Sequence, residues 1–357
     1  MTKILMNSVA LVGLMAACGA PASAATLFQI IPVQGSASTN VFGINKSQTI
    51  TGSWLDSSGV EHGYVGTAAT GSYTTFDDPT SGTEPRGLDD SGNIGGFANS
   101  QVGVASEFVP FERLASGKFK TVVNTKGKKL NSLIQGFDGR GVFGGNYVNG
   151  SNVDVAYLGQ NAKATKIVKL SLGNTGTAAR AVDNAGDIVG WYLNTSGIQT
   201  GFLVSGGNAT SISYPDASEA STVMEGINNK AIATGQWTDT SGIVYSFTYN
   251  LATGTFKPIK IRGAKSFTQA WGINDLGEIA VGSDAGFYIY CTKSTCPGTG
   301  PLAAEGKEIS VPKALMPSHS CADRACLVDV SQDPLKIPAR MRAPILKPGQ
   351  KTGPLLP

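Results

Sequence analysis

The 357-residue chain has only two histidines, His62 and His319, and charged residues make up 15% of it, against a usual share of about 25%. Two imidazoles leave little material for the commonest general base or metal ligand. A net charge of +3 provides no general field for nucleic acid or an anionic membrane surface. Cysteine is absent between Cys18 and Cys291. No apolar run after Ala25 reaches the roughly 20 residues that a membrane-spanning helix needs, and no segment carries a convincing helical period. A Gly-x-Ser-x-Gly turn before a helix is missing, and the glycine-rich stretches read as strand, so neither a nucleophile elbow nor a phosphate cradle is expected.

Glycine, in contrast, is abundant, at 46 residues, and much of it is periodic. Six segments share a frame of Gly-apolar-Asn/Asp, a few polar residues, an apolar residue, then a second Gly. They begin at Gly43-Ile44-Asn45, Gly87-Leu88-Asp89, Gly136-Phe137-Asp138, Ala181-Val182-Asp183, Gly226-Ile227-Asn228 and Gly272-Ile273-Asn274, with spacings of 44, 49, 45, 45 and 46 residues. Within a unit the Asx-x-x-Gly stretches, such as Asp89 to Gly92 and Asp183 to Gly186, are turns. Asx side chains bond their own backbone there, and Gly accepts the positive φ. A second turn follows at Asp56 to Gly59, Asn194 to Gly197 and Asp239 to Gly242. The stretches between turns are short and rich in β-branched and aromatic residues, which gives four strands per unit.

One four-stranded meander cannot bury both of its faces, whereas sheets stacked side by side can, and closing the ring removes exposed edges. The expected fold is therefore all-β, a six-bladed β-propeller with repeats near 42–80, 86–123, 130–170, 177–217, 222–261 and 268–312, and with 25–312 as the repeat domain. A β-solenoid or a β-sandwich is the alternative. Thr26 to Pro32 reads like a fourth strand and precedes the first unit, so it is expected to complete the last blade. Lys307 to Pro312 competes for that place.

The ends read differently. Residues 1–24 have Lys3, an apolar stretch from Val9 to Ala17 and small residues up to Ala24, the pattern of a secretory signal peptide. Leu14 to Cys18 also resembles a lipobox, which would make the chain an outer-membrane lipoprotein acylated on Cys18 in place of a free extracellular or periplasmic protein. In such a compartment Cys291, Cys296, Cys321 and Cys326, an even set of two C-x4-C pairs, are expected to form disulfides, with three connectivities open. Residues 313–357 form a Pro-rich, mildly basic tail without periodicity.

With these residues in hand, the chain resembles the HAF family of extracellular repeats over about 42–290. The first unit carries the resemblance most fully, in Gly43-Ile44-Asn45, Gly52, Asp56 to Gly59, His62-Gly63-Tyr64 and Thr74-Thr75-Phe76-Asp77-Asp78-Pro79. The resemblance implies a secreted bacterial repeat protein, and it implies no reaction.

Three constellations are candidates for a site. Asn45, Asp89, Asp138, Asp183, Asn228 and Asn274 hold the same place in every unit, and a closed ring would bring six oxygens to one rim. Calcium is the one cofactor such a ring would suit; otherwise each Asx serves its own turn. Trp54, Trp191 and Trp237 would stack on a sugar ring if exposed, or pack between sheets if not. His62 near a carboxylate would be a base, or simply part of a turn. No catalytic residue is assigned. The expected function is a secreted, non-enzymatic scaffold that binds a polysaccharide or protein, with no nucleic acid and no transmembrane span. A propeller-type polysaccharide lyase or glycoside hydrolase is the rival.

Overall fold

In the computed structural model, residues 26–79, 82–99, 108–172, 175–215 and 221–291 are described. They contain strands and turns and no helix. Six antiparallel sheets stand in a ring, each packed against the next, and the fold is a six-bladed β-propeller. Blade 1 has Thr49–Leu55, Glu61–Thr67 and Ser72–Phe76, with its inner edge shared between Ser38–Thr39 and Gly43–Ile44. Blade 2 runs from Gly82–Leu88 through Ile94–Asn99 and Phe108–Arg113 to Phe119–Thr121. Blade 3 has Ser132–Phe137, Val142–Val148, Asp154–Gln160 and Lys163–Ile167, and Val123–Asn124 adds a short parallel pair at its outer edge. Blade 4 covers Gly176–Val182, Ile188–Leu193, Gln199–Ser205 and Asn208–Ile212. Blade 5 covers Thr222–Ile227, Ile232–Thr238, Val244–Asn250 and Thr255–Ile259.

Blade 6 supplies only three consecutive strands, Thr268–Ile273, Glu278–Ser283 and Gly286–Cys291. Its fourth is Thr26–Gln29, which pairs antiparallel with the last of them so that Phe28 faces Ile289 and Leu27 faces Tyr290. The Ile30 amide extends the pairing to Phe287 O at 2.9 Å. The N-terminal strand thus locks the ring, as its resemblance to a fourth strand predicts. The competing segment at 307–312 lies outside the described residues, as do the signal segment, Cys18 and the tail from 313.

The core lies between blades. Tyr64, Phe143, Tyr157, Phe202 and Phe247 are fully buried and fill these seams, and each such side chain contributes roughly 1.5–3 kcal/mol by leaving water. Near the axis the inner strands approach too closely for side chains. A Cβ on Gly136 would collide with the carbonyl of Arg180 in the next blade, and one on Gly43 would lie 3.0 Å from the Cα of Gly87. That close approach is the physical reason for the first Gly of the repeating frame.

Candidate functional site

At one end of the channel the six Asx residues form a ring, and each serves its own turn. Asn45 Oδ1 accepts from the amides of Ser47 and Thr49, both at 3.0 Å, and Asp138 Oδ1 from Arg140 and Val142, both at 2.8 Å. Asp89, Asp183, Asn228 and Asn274 repeat the pattern with the residues two and four positions on. The Oδ1 atoms are therefore engaged locally, and among the described residues no group of three or more His, Cys, Asp or Glu is placed to hold a metal ion.

The second side-chain atom distinguishes the six. Asn45 Nδ2 donates to Asp89 O at 3.1 Å, Asn228 Nδ2 to Asn274 O at 3.0 Å and Asn274 Nδ2 to Asn45 O at 3.0 Å, so three blade junctions are stitched by an asparagine. Aspartate has no donor, and the other three junctions lack this stitch. Asp89 Oδ2 instead accepts from Asn93 Nδ2 at 2.8 Å, and Asp138 Oδ2 from Arg140 Nε and Nη2 at 3.1 Å each. Asp183 is 6% exposed, and among the described residues no donor hydrogen-bonds its Oδ2. Burial raises its carboxyl above the ordinary aspartate range, with the Asp187 charge adding to the effect and the turn amides opposing it.

The mouth enclosed by this ring has an apolar floor of Ile44, Leu88, Phe137, Val182, Ile227 and Ile273. Its rim holds Lys46, whose Nζ lies 3.0 Å from Asp90 Oδ2, and Asp275, which accepts from the Asn229 amide and side chain, both at 2.8 Å.

Behind the floor a second cavity is lined by Phe42, Arg86, Gln135, Glu225 and Trp271 among others. Here the inner strands of blades 2 to 6 each slip register, between Pro85/Gly87, Ile134/Gly136, Ala179/Ala181, Met224/Gly226 and Ala270/Ile273. Such bulges re-aim side chains, and the residues skipped include Arg86, Gln135, Arg180 and Glu225. Arg86 Nη2 lies 2.7 Å from Glu84 Oε1, and its guanidinium sits over the rings of Phe42 at 4.7 Å and Trp271 at 5.1 Å. Arg180 Nη1 donates to Gln135 Oε1 at 2.5 Å, its Nε is 3.5 Å from Glu225 Oε2, and Gln236 Nε2 donates to Glu225 Oε1 at 3.3 Å. Sequence reasoning missed this tier. Its available signal was a charged or amide residue immediately before the first Gly or Ala of the frame in four consecutive units.

The tryptophans fall into two groups. Trp191 is 2% exposed and packs with Ala178 and Val223, a core position. Trp54 and Trp237 lie at the strand ends opposite the Asx ring, each beneath another ring. His62 stacks on Trp54 with centroids 4.4 Å apart. Tyr245 stacks on Trp237 at 4.7 Å, and Tyr214 covers its other face at 4.8 Å. The outermost rings are thus His62 and Tyr245, the latter 39% exposed, and neither was singled out as a stacking surface from sequence. An aspartate stands beside each: Asp239 Oδ2 accepts from Tyr245 Oη at 3.2 Å, and Asp56 Oδ2 lies 3.6 Å from His62 Nε2. His62 Nδ1 is 2.8 Å from Asp77 Oδ1. Val60 and Ser58 amide bonds, with His62 alongside, hold the Asp56 carboxyl below its usual range, the Val60 bond contributing most. Desolvation first, then the Asp239 charge, raises the Tyr245 phenol. Cys291 is buried at the end of blade 6; Cys296, Cys321 and Cys326 lie outside the described residues.

No family model matches the sequence, and no curated protein matches it. Among solved structures the chain is similar to AofleA from Arthrobotrys oligospora, at 11% identity over 75% of this chain and 85% of that one, with a TM-score of 0.45. It is also similar to an Aleuria aurantia lectin variant in complex with Fucα1-6GlcNAc, at 12% identity over 75% and 100%, TM-score 0.44. A putative TolB from Agrobacterium tumefaciens matches at 9% identity over 63% and 76%, TM-score 0.44. These are likenesses of shape, and no property of those proteins passes to this chain.

Proposed function

We propose that the protein is an exported, non-enzymatic binding scaffold of the bacterial envelope or exterior, which holds a polysaccharide or protein ligand at the strand ends opposite the Asx ring. The observation that carries this reading is one construction made twice. In blade 1 and again in blade 5, a ring stacked on a buried-edge tryptophan is flanked by a carboxylate at the same repeat position. An aromatic face accepts the C–H face of a sugar or a flat apolar side chain, and the neighbouring carboxylate accepts hydroxyl or amide protons. The N-terminal segment and the resemblance to HAF repeats support export, and pairing of the four C-terminal cysteines fits the same compartment.

Titration of the purified protein with a panel of envelope and plant polysaccharides, read by tryptophan fluorescence, tests the reading. Binding that falls at least tenfold in Tyr245→Ala or His62→Ala supports it, and the absence of any retained glycan or envelope protein contradicts it. The His62–Asp77 contact at 2.8 Å favours a second reading, a lyase or hydrolase with His62 as base. Turnover of a bound polysaccharide, lost in Asp77→Asn while binding persists, would decide for that alternative.

A further inference from the structure

We propose that the outer wall of blades 2 and 3 is a docking surface for a layer of anionic phospholipid, held by a field of eight lysines. The surface lies on the flank of the ring, away from the aromatic pairs of blades 1 and 5, and does not depend on the scaffold reading.

The net charge of +3 conceals a separation. Residues 113–182 hold eleven Lys and Arg and only two acids, Asp138 and Asp154, so the rest of the chain is net acidic. Both acids are engaged elsewhere: Asp138 by Arg140 Nη2 at 3.1 Å, and Asp154 by Asn146 Nδ2 at 2.7 Å. Glu112, opposite Lys120 across the strand pair, is 3% exposed, and desolvation raises its carboxyl while the Lys120 charge opposes the rise. The arginines are committed as well. Arg113 lies over the ring of Phe76 at 4.5 Å, Arg140 is on Asp138, and Arg180 is buried. What remains on the outside is lysine.

One continuous stretch brings the lysines together. Phe119–Thr121 pairs with blade 2, the Val122 amide still bonds Pro110 O at 2.9 Å, and Val123–Asn124 then pairs with Lys163 and Ala164 of blade 3. Lys118 and Lys120 are thus on the segment that runs into the blade 3 edge, where Lys163, Lys166 and Lys169 follow one another. The next turn is tight: Asn124 Oδ1 accepts from the amides of Lys126 at 2.9 Å and Lys128 at 3.0 Å, which fixes both at its tip. Lys129 bridges back to Val123. Lys129, Val123 and Lys163 therefore stand in one row of the sheet, and the two lysines share a face at about 10 Å. All but Lys120 are exposed, and none of the eight makes an ion pair among the described residues. Like charges held this close repel one another, and a layer of anions relieves the repulsion.

The chemistry of the patch selects the kind of anion. Lysine is a hydrated point charge without the bidentate fork of arginine, so it suits a surface dense in single charges. Phe119, the aromatic residue of the stretch, is turned against Phe76 and Phe111, which leaves sugar rings and unpaired bases without a stacking platform here. Ile167 is 43% exposed between Lys166 and Lys169, and an aliphatic side chain gains by leaving water only against an apolar phase. A leaflet of anionic lipids supplies both the charge and that phase.

Co-sedimentation of the purified chain with vesicles of phosphatidylcholine, with and without phosphatidylglycerol, provides the test. The expected result is binding to the anionic vesicles alone, abolished at about 1 M salt, where the screening length is about 3 Å. It should weaken at least tenfold when Lys126→Glu, Lys128→Glu and Lys129→Glu are combined. A control with the same change in charge, Lys257→Glu, Lys260→Glu and Lys265→Glu combined, should bind as the wild type does. All six side chains are exposed, so folded variants are expected, and a circular dichroism melt checks each. No binding to anionic vesicles, no loss in the first triple variant, or equal loss in both overturns the proposal. So does displacement of the chain from the vesicles by alginate or duplex DNA at equal concentration of charge, since the surface would then prefer a soluble polyanion. Glycan binding at His62 and Tyr245 is read separately by tryptophan fluorescence and is unchanged by either outcome.

Discussion

Gln48 and Ala231 occupy φ of +61° and +58°, at the place where four other blades have Gly92, Gly141, Gly186 and Gly277 between +83° and +87°. A residue with a Cβ pays roughly 1–2 kcal/mol in that region, partly offset in glycine by its greater unfolded-state entropy. Ala231→Gly should therefore raise stability by about 0.5–1 kcal/mol in urea denaturation, and a loss of stability would show that the turn geometry differs. Asp183→Asn should also stabilise. Because burial raises this carboxyl, the folded chain holds its proton more tightly than the unfolded chain, and ionisation costs stability. That cost is present at neutral pH and vanishes as pH falls below the ordinary aspartate value near about 3.9. The asparagine avoids it and supplies the missing N–H toward Asn228 O, a bond of about 1 kcal/mol. Denaturation at pH 7 and pH 3 should show a gain at both, larger at pH 7; a gain that grows toward pH 3 would reverse the assignment. The Asx positions themselves were legible in the sequence, since their spacing repeats. Which one leaves an atom unpartnered was not, because that depends on Asn93 and Arg140 folding back onto Asp89 and Asp138 while no comparable donor reaches Asp183.

Along each inner strand the glycine frame, the two turns and the alternation of short strands follow from residue types, and the structure places them where the repeat does. The bulges do not follow. A one-residue slip leaves the sequence of the strand unchanged and is visible only against the partner strand, so the burial of Arg86, Gln135, Arg180 and Glu225 is not legible in the strands that carry them. Two further surprises have the same origin. Trp54 and Trp237 were legible as aromatic positions, but their cross-strand partners His62 and Tyr245 cover them, which only the register reveals. The bulge tier makes a specific prediction. Glu225→Leu should cost about 3–5 kcal/mol, since it leaves the guanidinium of Arg180 in the interior without its carboxylate. Changing both residues to leucine should recover much of that loss, and a double-mutant cycle that finds the two changes simply additive would contradict the pairing.

Over the whole molecule, six sheets of similar length bury one another's faces, and no blade has an independent core. Ring, solenoid and sandwich use the same local units, so the period alone does not choose among them; closure does. Closure rests on Thr26–Gln29, which lies more than two hundred residues from its partner strand in sequence and pairs with it in register. Electron paramagnetic resonance on the purified chain with spin labels at Gln29 and Tyr288 measures this directly. These are Cα partners, and paired antiparallel strands bring such residues within about 5 Å. Strong dipolar broadening in the doubly labelled protein, absent when the second label is moved to Lys166 in blade 3, is the expected result. A double-label spectrum equal to the sum of the two single-label spectra would mean that the first strand does not complete the last blade and that the ring is open.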